Sequence, residues 1–381
     1  MAVWSVARPL RLRSREGAEA GRKVTWLELF FDLVFVAAVS QVGEPLVHDY
    51  SPAGLGRFAF LFLLIWWAWH GHTNYSTRFD TDDGLHRGIT LLQMFAAAAM
   101  AVNAKGALDS TDSAGFAAAY GVMRALLVVQ YLRARQIEAS RALTNIHCAG
   151  FTVAAALWLA SALVPTPVRF GLWAIAFVVD GLTPLLTSRH LVDAPPDAAH
   201  LPERFGLFTI ILIGEAMVGV MHGMESQATW TPDAALSAFF GMATVFAIWW
   251  WYFDAARAAE ERVIRTPRDA RRFQWWTQAH LPAYLGIAVT GVGVHHLIGV
   301  AGRDAHLHAA EAWILCGGAA LVMSGLTVIS RSTAPAPRGR ARGRIALAAA
   351  AAALGAVGPL APASVLMAAL LALFVAQAAM R

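Results

Sequence analysis

An all-α polytopic membrane protein, with about twelve transmembrane helices (ten to twelve), is the fold class this sequence predicts, and three observations carry the prediction. Of 381 residues, 57% are hydrophobic and only 14% charged, with a mean hydropathy of +0.52. Soluble domains carry about a quarter charged residues, so the deficit rules out disorder and argues against a single soluble core. The apolar residues also gather in blocks of about twenty, the length a helix rising 1.5 Å per residue needs to cross a hydrocarbon core of about 30 Å. Finally, short stretches rich in charge, Pro or Gly separate the blocks.

The elements follow in chain order. Residues 1–23 form a basic cytoplasmic N-terminus with Arg8, Arg11, Arg13, Arg15, Arg22 and Lys23. The first span, 25–47, carries Glu28 and Asp32, which argues against a cleaved signal peptide. The second, 54–76, ends its aromatic block on Ile65-Trp66-Trp67-Ala68-Trp69. Spans at 87–104, 113–132, 142–163 and 167–187 complete a first repeat, 24–190, with Arg124 inside the fourth span and Asp180 inside the sixth. The second repeat, 199–329, opens with spans 203–222, 233–253, 275–298 and 308–329. A basic linker, 330–343, leads to two short Ala-rich spans in 344–381, at 344–358 and 362–380, interrupted by Gly358, Pro359 and Pro362.

Charge placement sets the expected orientation. Of thirty Lys and Arg, four (Arg57, Lys105, Arg169 and Arg303) fall in the loops or span ends of one side and Arg124 lies in mid-span, leaving 25 toward the other side. That bias predicts both termini in the cytoplasm of a bacterial plasma (inner) membrane. It also accounts for the +5 net charge, so no nucleic-acid partner is expected. The expected partners are the lipid bilayer and a proton, small cation or solute. The oligomeric state is not encoded in any visible motif.

The halves echo each other. Ile248-Trp249-Trp250-Trp251-Tyr252 in the eighth span repeats the Trp block of the second. Six helices separate the copies, so they share an orientation, as in two parallel six-helix repeats. Trp clusters marking membrane interfaces are the alternative explanation.

The run Val24-Thr25-Trp26-Leu27-Glu28-Leu29-Phe30-Phe31-Asp32-Leu33-Val34-Phe35-Val36 resembles the bacterial low temperature requirement A family. Arg78-Phe79-Asp80-Thr81-Asp82-Asp83, Glu203-Arg204-Phe205-Gly206-Leu207-Phe208-Thr209-Ile210-Ile211-Leu212-Ile213-Gly214-Glu215 and Trp249 to Asp254 are similar to it in the same order. The last eighty residues carry no such signature. The resemblance implies a multispanning bacterial membrane protein linked by name to growth in the cold, and it brings no agreed substrate or catalytic residue. The chain departs from the family pattern at Ala216, where a hydroxyl residue is expected after the Glu.

Ionisable residues within spans are the candidate functional groups, because each costs about 2.5–3.5 kcal/mol to insert and therefore faces protein, water or a partner. Glu28 and Asp32, four apart, share one helix face. They are read either as a proton or cation site or, for Glu28, as an acid favoured at a helix N-terminus. Glu215 lies deep in the seventh span between Gly214 and Ala216, small neighbours that admit a close helix. With Arg124 and Asp180 these form a candidate substrate- or proton-binding set: Glu28, Asp32, Arg124, Asp180 and Glu215. An Arg124 ion pair with one acid is the structural alternative. Asp80, Asp82 and Asp254 are placed at the cytoplasmic mouth.

Other patterns point elsewhere. Asp80, Asp82 and Asp83 could hold Mg²⁺ for a diphosphate lipid, but the repeat-related place offers only Asp254, Glu260 and Glu261 at poor spacing. His147 and His280 each read as hydrogen-bonded core residues, and His295, His296, His306, His308 and Glu311 as interfacial side chains around an outer loop. Cys148 and Cys316 read as packing residues. No metal centre and no cofactor is expected. The function expected is a proton- or cation-coupled secondary transporter or permease. The alternatives are an intramembrane enzyme acting on a lipid or isoprenoid substrate and a non-catalytic membrane stress or assembly factor.

Overall fold

The structure, a computed structural model, describes residues 8–12, 24–80, 83–109, 112–227, 229–257, 264–301, 307–333 and 338–380, with the backbone alone at 80, 255–257, 333 and 338. Among these residues the chain forms twelve α-helices and one two-stranded ribbon. The helices are α1 (Trp26–His48), α2 (Pro52–Ser76), α3 (Gly84–Asn103), α4 (Ser113–Ala134), α5 (Arg141–Ala162) and α6 (Val168–Leu186). They continue with α7 (His200–Glu225), α8 (Pro232–Arg257), α9 (Pro267–Ala301), α10 (Ala309–Thr333), α11 (Arg338–Val357) and α12 (Ala363–Ala379). Eleven are long and apolar enough to cross a membrane, and α12, with 17 residues, is shorter. The protein is a multi-pass membrane protein in a lipid bilayer environment.

Two boundaries differ from the sequence expectation. α9 is 35 residues long and begins eight residues before the expected apolar span, because Asp269 and Thr266 bond each other's backbone amides and cap it upstream. α11 begins at Arg338, within the expected basic linker, since Arg is a good helix former and needs no apolar face to continue a helix. Reciprocal capping recurs at α1, where Thr25 donates its amide to Glu28 Oε2 at 2.9 Å and accepts the Glu28 amide on Oγ1 at 3.3 Å.

The described residues divide into two compact units. The first takes in those of Met1–Val42, Leu63–Phe205 and Glu261–Arg271, and the second those of Gly43–Phe62, Gly206–Glu260 and Arg272–Arg381. In the first unit α3 packs on α4, α4 on α5, and α5 on α6. Glycines permit the closest approaches: a Cβ added at Gly150 would lie 2.0 Å from Thr183 Oγ1, and one at Gly121 2.7 Å from Leu159 Cγ. Leu91, Leu92, Phe95 and Val102 of α3 and Ile175, Val178 and Leu186 of α6 point outward, a surface suited to lipid rather than water. The ribbon pairs β1 (Arg11–Leu12) with β2 (Phe79–Asp80) in antiparallel fashion. Beside it, Asp83 accepts the amides of His86 (2.9 Å) and Arg8 (2.8 Å) and pairs with the Arg133 guanidinium, so one carboxylate caps α3 and pins the N-terminal segment. Burial alone would raise the Asp83 carboxyl, but the bond from Arg133 and the two amides outweigh it and hold its pKa at about 2.

In the second unit α8 packs on α12 and α10, and α10 on α11. Gly219 and Gly223, spaced four apart on α7, meet the α9 backbone. A Cβ at Gly219 would lie 2.8 Å from the Gly291 carbonyl oxygen, and one at Gly223 2.9 Å from that of His295. The two Trp blocks differ in setting: Trp66 and Trp69 of α2 are fully buried, whereas Trp249 and Trp250 of α8 are exposed.

Candidate functional site

The first two turns of α1 and of α7 carry matched pairs of ionisable residues. Glu28 and Asp32 lie four apart on α1, and His200 and Arg204 lie four apart on α7. Each pair therefore presents one face. Asp32 receives the Arg204 guanidinium as a fork, Nε to Oδ2 at 3.1 Å and Nη2 to Oδ1 at 2.5 Å. The indole Nε1 of Trp69 donates to Asp32 Oδ1 at 2.7 Å. One turn earlier, Glu28 Oε1 lies 3.1 Å from His200 Nε2 and 3.3 Å from Arg204 Nη1. Its other oxygen is taken by the Thr25 cap, so Glu28 both caps α1 and joins the cluster. Asp197 caps the start of α7, accepting the His200 amide at 2.9 Å. All four side chains are buried, Asp32 and Arg204 completely.

Charge arithmetic sets what this cluster can do. Its buried groups are two carboxylates and one guanidinium, with the exposed Glu203 carboxylate at its edge 3.9 Å from His200 Nδ1, so with His200 neutral the buried groups keep one negative charge in excess. One proton on the imidazole or on a carboxylate closes the balance, as would one small cation.

Arg124 and Asp180 form a separate and balanced pair. Arg124 Nε lies 2.7 Å from Asp180 Oδ2, and Tyr120 bridges them, accepting from Arg124 Nη2 at 2.7 Å and donating to Asp180 Oδ2 at 3.2 Å. Both charged side chains are buried. A Cβ at Gly71 would come within 2.7 Å of Arg124 Nη1, so the glycine on α2 makes room for the guanidinium.

Of the candidate residues, the structure thus joins Glu28 with Asp32 through Arg204, and Arg124 with Asp180. Glu215 belongs to the second unit, half-buried in α7 beside Ala216, which packs on Gly291 of α9. Asp254 is exposed at the end of α8 and accepts from Trp250 Nε1 at 3.0 Å. Asp80 is described by its backbone alone, and Asp82, Glu260, Glu261 and His306 lie outside the described residues. Asp83, which the sequence groups with Asp80 and Asp82, is committed to its helix cap and to Arg133.

Sequence reasoning overlooked Arg204 and His200. Arg204 counts among the basic residues flanking a span, yet its side chain is fully buried. The signal lay in the spacing: His200 and Arg204 repeat the interval of Glu28 and Asp32 with opposite sign. Between α9 and α10, His296 Nε2 lies 3.0 Å from Glu311 Oε1, and His308 reaches Glu311 through its backbone amide at 2.7 Å. Among the described residues no three His, Cys, Asp or Glu side chains are grouped to hold a metal ion. His147 stacks on Tyr131, and His280 bonds the Trp276 carbonyl and Tyr252, both as core residues.

The motif run on α1 and the Arg204 stretch on α7, now joined in one cluster, match a known family profile. Residues 23–379 fit the description "Bacterial low temperature requirement A protein (LtrA)". The chain belongs to the LtrA family. The match takes in the last eighty residues, which show no motif by eye. An uncharacterized protein of Rhizobium meliloti (strain 1021) is 31% identical over 290 residues, covering 71% of this chain and 68% of the relative. No solved structure matches the chain. LtrA membership fixes the membrane class and names no substrate, so the chemistry rests on the cluster itself.

Proposed function

We propose that this LtrA protein is a proton- or cation-coupled secondary transporter of the bacterial cytoplasmic membrane, and that the cluster of Glu28, Asp32, His200 and Arg204 is its coupling site. The observation that carries the reading is the odd charge count of a buried cluster within membrane-spanning helices. Such charges are costly in a bilayer and recur in proton relays, and a cluster one positive charge short of neutrality gains from taking up a proton or cation. The balanced Arg124–Asp180 pair acts as a structural clamp in this scheme. Glu215 serves the second half in the same scheme.

The Lys and Arg bias supports cytoplasmic termini, which set the first turns of α1 and α7 toward the cytoplasm. The pairing of Glu28 with His200 and of Asp32 with Arg204 keeps one offset of 172 residues. The two first turns therefore run in the same direction, as two parallel repeats would (24–190, then 199–329 with 344–381).

The test is proton flux in proteoliposomes loaded with a pH-sensitive dye, under an imposed pH gradient and screened against small cations and solutes. Flux that falls at least about tenfold in Asp32→Asn and in Glu28→Gln is the expected result. Flux absent from the unsubstituted protein, or unchanged in both variants, contradicts the proposal.

A further inference from the structure

The first unit contains a second polar region that the charged cluster does not use. On α2, Trp69, His72, Thr73 and Ser76 recur at helical spacing, and on α3 so do His86, Thr90 and Gln93, all of them buried. His72 stacks on Phe31 at 4.0 Å and on His86 at 6.1 Å, and it shares a hydrogen bond with Gln93. Gln93 Nε2 in turn donates to Gln130 Oε1 of α4 at 3.3 Å. The region therefore gathers α2, α3 and α4 around one chain of contacts.

Four polar atoms along this chain have no protein partner: His72 Nδ1, Thr73 Oγ1, Thr90 Oγ1 and Gln130 Nε2. Buried polar groups are almost always hydrogen-bonded, and ordered water supplies the partner where protein does not. Here the unpaired groups are complementary. Gln130 Nε2 is a donor, while His72 Nδ1 donates or accepts according to its tautomer. The hydroxyls of Thr73 and Thr90 can each donate and accept. The chain adjoins the charged cluster at Ser76, whose Oγ accepts from Arg204 Nη1 at 3.4 Å, and at Phe31, between Glu28 and Asp32.

We propose that the first unit holds a file of water molecules among α2, α3 and α4, running from Gln130 and Gln93 past His72 to the cluster of Glu28, Asp32, His200 and Arg204, and that protons reach the cluster along it. The proton-carrying role rests on the transporter reading; the water file stands on the unpaired atoms. Each water passes a proton on by accepting one at its oxygen and releasing another to the next acceptor, so no co-reactant is consumed.

Thiol accessibility tests the file without reference to transport. With Cys148 and Cys316 replaced by Ser, Thr90→Cys and Ala97→Cys sit on the same buried face of α3. A thiolate forms only where water reaches it, so a small water-soluble thiosulfonate or Ag⁺ is expected to label Thr90→Cys at least about tenfold faster than Ala97→Cys. Equal, slow labelling of the two would overturn the proposal. Radiolytic hydroxyl footprinting of the unsubstituted chain gives a second reading should a variant fold poorly. His72 is expected to be oxidised faster than His280, an equally buried imidazole with protein partners on both nitrogens. Equal rates for the two histidines count against the file. Labelling without proton flux would uphold the file and remove the transporter reading, and flux without labelling would do the reverse.

Discussion

Asp32 and Arg204, 172 residues apart in sequence, meet through a two-bond guanidinium–carboxylate fork with both side chains wholly buried. The planar fork matches a carboxylate in a way a point charge cannot, which is why Arg occupies such sites. Removing one partner of a buried pair leaves the other charge uncompensated. Arg204→Gln strands two carboxylates and is expected to lower stability by about 3–5 kcal/mol, read as an early loss of monodispersity on heating in detergent. Arg204→Lys keeps the charge and loses the fork, so it should fall between. Asp32→Asn combined with Arg204→Gln should recover part of the loss.

The Arg124–Asp180 pair gives a contrasting expectation because its charges already cancel. Asp180→Asn alone should destabilise by about 3–5 kcal/mol, while Arg124→Met with Asp180→Leu should return to within about 1–2 kcal/mol of the parent, since well-packed apolar residues replace buried ion pairs at little loss. A thermal melt of the three proteins decides it. A double variant no better than the single would show that the pair is needed for more than charge balance.

Asp83 predicts an acid-dependent effect whose sign follows from its pKa. The folded value of about 2 lies below the ordinary carboxylate value near 3.9, so the ionised group contributes stability above about pH 4. That contribution is lost as pH falls through about 2. Asn still caps a helix, so Asp83→Asn isolates the charge facing Arg133 and the amides. It should cost about 1–2 kcal/mol near neutral pH, and the difference from the parent should close between about pH 4 and pH 2 in denaturant titrations.

Two glycines on α7 should respond oppositely to one methyl group. A Cβ at Gly219 would meet the Gly291 carbonyl, backbone that cannot turn aside, so Gly219→Ala should cost about 1–3 kcal/mol by forcing α7 from α9. At Gly214 nothing lies within 4 Å, and Gly214→Ala should be neutral or stabilising by up to about 1 kcal/mol. Melting temperatures of the two variants, measured side by side, check the pair of signs.

The class of fold was legible because blocks of twenty apolar residues leave a chain little choice in a bilayer, and the α1 motif led to Glu28 and Asp32 as ionisable groups in costly positions. Arg124 and Asp180 could likewise be singled out, since each interrupts a span. Their partners were harder to read. Arg204 stands close to a span end, where a basic residue ordinarily marks the membrane side, and only tertiary contact with α1 shows it turned inward. Asp83 looked like part of an acidic turn because the groups it binds, on Arg8 and Arg133, lie 75 and 50 residues away. The paired stripes of α2 and α3 were hidden for a related reason: Thr, Gln and His at helical spacing gain meaning only once the helices are known to face each other.

The claim on which the rest depends is that the cluster of Glu28, Asp32, His200 and Arg204 takes up one exchangeable proton. Infrared difference spectra recorded across a pH titration report that proton directly as an imidazolium or carboxylic-acid band. A band present in the parent and lost in both Glu28→Gln and Asp32→Asn, each of which leaves one carboxylate against the one guanidinium, is the expected result. A spectrum identical in parent and variants would contradict it.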